Sequence, residues 1–124
     1  MAEVWIFRPE QGNKGNLPRR LFRAADFSSI WLESKYQLRA GVIGSQTEVI
    51  LATDRDGVGF PELFDWQLLE QIDRCRADTS EPSLILVAQW AEVGMSWVPY
   101  TRAGYEDRLQ EQRAKVLAQQ IQQT

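Results

Sequence analysis

Asp26, Glu33 and Lys35 are the closest this chain comes to a catalytic constellation. Two carboxylates ahead of a lysine, carried on a strand, is how metal-dependent nucleases hold Mg²⁺ and stabilise the charge on an attacked phosphate. At this composition, however, an E-x-K triplet arises readily by chance. Only seven residues separate Asp26 from Glu33, which leaves little room for the strand and turn that normally intervene. Lys35 also falls on the strand face of Trp31 and Gln37, where a solvated charge needs no further explanation. A divalent-metal nuclease built on Asp26, Glu33 and Lys35 is therefore the third of three readings.

Other routes to catalysis are thinner still. The 124 residues include no histidine, so the usual general base, proton shuttle and zinc ligand is missing. A serine or cysteine nucleophile would lack its customary base. Cys75 is the only cysteine, which rules out an intramolecular disulfide. Arg74 and Arg76 flank it and could lower its pKa, but it continues an apolar helical stripe and is expected to be buried and inert. Asp54-x-Asp56-Gly57 resembles the start of a calcium loop, yet Val58 and Asp65 stand where oxygen ligands and a glutamate belong, so a β-turn is expected. Gly41-Val-Ile-Gly44-Ser45 is too short for a phosphate-binding loop and has no lysine. The expectation is a non-enzyme with no catalytic residue, cofactor or metal.

Residues suited to binding are better represented. Five tryptophans in a chain of this length favour protein contacts, where tryptophan is enriched. Along the segment 61–76, Phe64, Leu68, Ile72 and Cys75 share one helical face, and Trp66 lies about 160° away, with Leu63 beside it. A tryptophan and a leucine on the polar side of an amphipathic helix form a candidate hot spot, unless another element covers them. Trp97 and Tyr100 fall in a loop-like stretch that also bears Met95 and Val98, so they are further contact candidates. Trp31 and Trp90, on strands, are expected in the core or in cross-strand pairs. Leu109 and Val116 belong to an interrupted stripe near the C-terminus, which can dock on its own domain or pair with a second copy.

Charge narrows the partner. The net charge of −3 argues against a dedicated nucleic-acid binder. One exception is local: Lys14, Arg19, Arg20 and Arg23 lie within ten residues without an acid among them. These four form a candidate anion site, and they support the second reading, a nucleic-acid or nucleotide-linked regulator.

The elements that must position these residues follow from periodicity. Hydrophobic content of 44% with 25% charge fits one folded domain spanning 1–124. Val4–Phe7 reads as a buried strand, and Pro18 as the first position of a helix over 19–26. Ile30–Leu38 alternates as a strand, 47–53 is β-branched and strand-like, and 61–76 is a helix. A strand over 84–90, a loop over 94–104 and a helix over 105–123 complete the chain. The order β-α-β-β-α-β, followed by an additional helix, predicts an α+β fold. That fold is an antiparallel sheet of about four strands with helices on one face, in ferredoxin-like order. No segment has the length of a membrane span and no basic-plus-apolar leader opens the chain, so a cytoplasmic protein is expected. The first reading is thus a small adaptor or assembly factor that binds another protein, with homodimerisation through the last helix open.

Overall fold

The computed structural model describes residues 2–10, 17–54, 57–91 and 94–122. Lys14, one of the four candidate anion-site residues, lies outside them, as does Asp56; the side chain of Trp90 is likewise undescribed. The architecture is α+β, and the described residues form seven strands in two sheets and two α-helices.

The apolar run after Glu3 becomes β1 (Glu3–Arg8), which is buried on both faces. A strand with no polar face belongs in the middle of a sheet. Here β1 pairs antiparallel with β2 (Arg20–Arg23) and parallel with β6 (Ser83–Ala91); β6 pairs antiparallel with β7 (Gly94–Thr101). The sheet order is β2-β1-β6-β7. The second sheet is a meander of β3 (Phe27–Ser34), β4 (Gln37–Val42) and β5 (Glu48–Thr53). Between β4 and β5 the chain reverses at Gly44, whose φ of +73° is costly for a residue with a Cβ.

One face of the four-stranded sheet, carrying Val4, Ile6, Leu84, Leu86 and Trp97, is covered by α1 (Phe64–Ala77) and by the meander. The period expected for α1 is realised in full, since Phe64, Leu68, Ile72 and Cys75 are its buried residues. Phe64 is fully buried and stacks between Phe60, at 4.5 Å, and Trp97, at 5.1 Å, tying the helix to β7. The opposite face of the sheet, with Phe7, Ile85 and Val87, is covered by the first turns of α2 (Arg102–Gln122) through Tyr105 and Leu109. From Gln110 to Ile121 every residue of α2 is exposed.

Several expectations are corrected. The ferredoxin-like order in one antiparallel sheet is replaced by two sheets and a parallel β1–β6 pair. The helix expected over 19–26 is the four-residue β2 followed by a single 3-10 turn, Ala24–Asp26, because pairing with β1 outweighs local helical spacing. The strand expected over Ile30–Leu38 is broken at Lys35-Tyr36 into a hairpin, with the β3–β4 register shifting between Leu32 and Ser34. Gly41 and Val42 of the Gly41-Val-Ile-Gly44-Ser45 stretch are the end of β4. The loop expected over 94–104 is β7 and the start of α2, and Pro99 is tolerated because β7 is an edge strand.

Candidate functional site

Helix α1 buries one stripe and leaves its other side open. Trp66 is 62% exposed, Leu63 59% and Leu69 45%, so none of the described elements covers them. Trp66 and Leu69 line one wall of a groove of about 400 Å³. The facing wall is Ala24, in the 3-10 turn, and the first half of β3, Phe27 to Ile30, while Ile72 contributes from below. Phe27 and Ile30 rest on the main core, whereas Ser28 and Ser29 are exposed. Asp65 and Arg76 mark the two ends of the helical wall, about 16 Å apart at 1.5 Å per residue.

The β3 wall is a sheet edge. In the meander β3 pairs with β4 alone; on its outer side the Phe27 N–H is taken by the Ala24 carbonyl of the 3-10 turn, and from Ser28 onward no backbone hydrogen bond to another segment is seen there among the described residues. An edge strand presents a row of main-chain donors and acceptors. The groove therefore sets such a row opposite a tryptophan and a leucine. Chemically it can take main-chain hydrogen bonds on one side and an apolar side chain on the other.

The remaining contact candidates are distributed differently. Trp97, expected on an exposed loop, is 3% exposed and belongs to the core, so it offers no outer surface. Tyr100 is half-buried on the far face of β7, where its hydroxyl accepts hydrogen bonds from Arg108 and from the Gln89 side-chain amide. Leu109 is half-buried against the same small cluster. Val116 is exposed on the uncovered part of α2. None of Trp97, Tyr100, Leu109 and Val116 lines the groove with Trp66; Leu63 caps the start of the same helix but does not line it either. Leu69 escaped the sequence reading because it sits midway between the buried stripe and its opposite side, and the edge of β3 was hidden by the missed hairpin.

The basic segment is split by the strand that contains it. Arg23 is engaged, with Nε 2.8 Å from Glu3 and its guanidinium 5.4 Å from the Trp5 ring. Arg20 lies 4.8 Å over Phe22, and Arg19 is exposed close to Tyr105. Arg19 and Arg20 line a second groove, of about 390 Å³, between β2 and α2. Arg8 stands directly opposite Arg20 in the β1–β2 register. It is buried, donating from Nη1 to the Ile50 carbonyl at 2.7 Å and from Nη2 to the Pro18 carbonyl at 2.9 Å. Burial, followed by repulsion from Arg20, lowers its pKa from the ordinary arginine value. Burial also raises the Tyr105 hydroxyl, against an opposing pull from Arg19 and Arg108.

The nuclease constellation does not assemble. Asp26 precedes β3 and Glu33 is near its end, about 20 Å away at strand rise, and Glu33 accepts from Trp31 Nε1 at 2.7 Å. Lys35 lies in the hairpin turn, 5.5 Å over the Tyr36 ring. Among the described residues no group of acids and cysteine could hold a metal ion, and no helix is long and apolar enough to cross a membrane. No family model matches this chain, and neither does any curated protein or solved structure.

Proposed function

We propose that this protein is a cytoplasmic adaptor or assembly factor, without enzymatic activity, that binds an extended segment of another protein along the outer edge of β3. One observation carries this reading: an unpaired strand edge faces the exposed Trp66 and Leu69 across a groove. Strand addition supplies affinity through main-chain hydrogen bonds, and pockets for alternate side chains supply specificity. Phe27, Ile30 and Leu69 form the pocket walls here, with Trp66 as the anchor at its rim. The ends of the helical wall, Asp65 and Arg76, set opposite charges against the ligand and favour one direction of the bound strand.

The test is selection of peptides from a random display library on the purified protein. Binders are expected to carry an apolar or aromatic residue, to bind with little salt dependence and to lose at least ten-fold in affinity to Trp66→Ala. N-methylation of alternate backbone amides in a selected peptide removes the donors a strand must offer, and is expected to abolish binding. Binders that tolerate N-methylation at every position, or that bind Trp66→Ala as tightly, would refute this assignment.

A further inference from the structure

The outer edge of β3 is bounded at both ends, and its bounds limit what can pair with it. Twice along the β3–β4 hairpin the register advances two residues on β3 against one on β4, from Phe27 to Ser29 and from Leu32 to Ser34. Each advance leaves one extra residue in β3, Ser28 and then Glu33, in the manner of a β-bulge. A bulge bends its strand and breaks the rhythm of donors and acceptors, so it interrupts pairing along the open side as well. Only Ser29 to Leu32 lies between the two in unbroken register.

The chain itself occupies the main chain beyond this stretch. Upstream, the Phe27 N–H donates to the Ala24 carbonyl of the 3-10 turn. Downstream, the Lys35 carbonyl accepts from the Phe60 N–H at 2.6 Å. Within the stretch Ile30 and Leu32 pack on the main core, while Ser29 is exposed. A strand laid beside these residues turns alternate side chains to the core side, where Trp66 and Leu69 form the opposite wall of the groove.

Charge gives a second measure of length. Asp65 and Arg76 line the groove at the two ends of its helical wall, and among the described residues neither is in an ion pair. They are about 16 Å apart along the helix. Five steps of extended chain, at about 3.3 Å each, cover the same distance. Six residues therefore reach from one charge to the other: the stretch that pairs with Ser29–Leu32, and one residue added at each end.

We propose that the segment bound at β3 is a six-residue strand, basic at the end beside Asp65, acidic at the end beside Arg76 and apolar at two alternate positions between them. This rests on strand addition at β3 and adds the length, charge order and register of the added strand. The bulges hold the register, since a slip by one residue turns the apolar pair away from Trp66 and a slip by two runs the segment into a bulge.

The test uses two acetylated and amidated peptides, Arg-Val-Thr-Val-Thr-Glu and its charge-reversed counterpart Glu-Val-Thr-Val-Thr-Arg, titrated into the protein and followed by amide NMR. The first is expected to bind about five-fold more tightly than the second. The exchange Asp65→Arg/Arg76→Asp is expected to reverse that preference, which a merely structural role for either residue would not do. Thermal unfolding shows whether the exchanged protein is folded; if it is not, Asp65→Asn and Arg76→Gln are each expected to reduce the preference to about two-fold. Two threonines added at each end of the first peptide should change its affinity by less than about two-fold. On β3, new protection from hydrogen exchange should appear only between Ser29 and Leu32, at alternate residues. Absence of binding by both peptides, equal binding of the two charge orders, an unreversed preference in the folded exchanged protein, an unreduced preference in the two single variants, a ten-fold gain from the longer peptide, or new protection at Ser28, Glu33 or Ser34 would each overturn the proposal. Backbone-dependent binders of another length or charge order from the display library would remove this assignment and leave strand addition standing; a library without such binders removes both.

Discussion

Replacing Phe64 by alanine tests how α1, and with it one wall of the first groove, is attached to the molecule. The ring is fully buried, and its faces meet Phe60 at 4.5 Å and Trp97 at 5.1 Å, both nearly parallel. Truncating a buried phenylalanine to alanine costs about 3–5 kcal/mol through lost transfer energy and the cavity that remains. The two aromatic pairs place this site towards the upper end, since each is worth about 0.5–1.5 kcal/mol beyond its area. Phe64→Leu keeps most of the volume and loses mainly the ring pairs, so about 1–3 kcal/mol is expected. Domains of this size have stabilities of about 5–15 kcal/mol, so the alanine variant loses a large share of the total. The assay is urea unfolding followed by near-ultraviolet circular dichroism and tryptophan emission. With a slope of about 2 kcal/mol/M, a loss of 4 kcal/mol lowers the midpoint by about 2 M. A fall below about 0.5 M for Phe64→Ala, with the slope unchanged, would refute the assignment of Phe64 as the link between α1 and β7.

Four further outcomes are expected. Trp66→Ala should change stability by no more than about 0.5 kcal/mol, in contrast to Phe64→Ala, because Trp66 is largely solvated; the same unfolding measurement checks this. Burial, reinforced by the charge of Asp78, raises the Cys75 thiol above its ordinary value, so a disulfide reagent at pH 8 should label it only as fast as the protein opens. Fast stoichiometric labelling of the native chain would contradict that burial. Hydrogen bonds from the Ser80 hydroxyl and amide hold the Asp78 carboxyl below its usual range. Its contribution to stability is thus present above the unfolded value, near pH 4, and disappears as pH falls through the lower folded value. Ser80→Ala should shift the Asp78 carboxyl titration upward, as read by carbon NMR, and an unmoved titration would show the contact to be absent in solution. Gly44→Ala should destabilise by about 1 kcal/mol although open space surrounds the position, since the cost is one of backbone conformation. Thermal unfolding decides that case, and an unchanged midpoint would mean that the turn adopts another shape.

Elements with a clean apolar period were legible before any coordinates. Strands β1, β5 and β6 and helix α1 lie where their side-chain patterns place them, because each buries a face at its own period. The β3–β4 hairpin was concealed by arithmetic. Leu32 faces Leu38 and Ile30 faces Ala40, so the inward positions are even-numbered on both strands and alternation runs unbroken through the turn. No glycine or asparagine marks Lys35-Tyr36, and the turn uses no residue at positive φ. Strand β2 was hidden because four residues carry too little pattern to compete with a proline and a helical spacing; only β1 makes them a strand. Half of the first groove, Trp66 on the open side of an amphipathic helix, was visible in the sequence. Its other half was not, because an unpaired edge is a property of the sheet and no residue type encodes it.

The pairing of β1 with β6 joins positions eighty residues apart, from Glu3 with Ser83 to Phe7 with Val87. A chain emerging vector-wise during synthesis can close the β3–β4–β5 meander early, since its contacts are local. The central sheet must wait until β6 has been made, and closing so long a loop adds a slow entropic step. Throughout that interval β1 exposes a two-sided apolar ribbon whose partners do not yet exist. Overproduced protein is therefore expected to be lost to aggregation through its first strand, and slowing synthesis should recover less of it than lowering the concentration of incomplete chains.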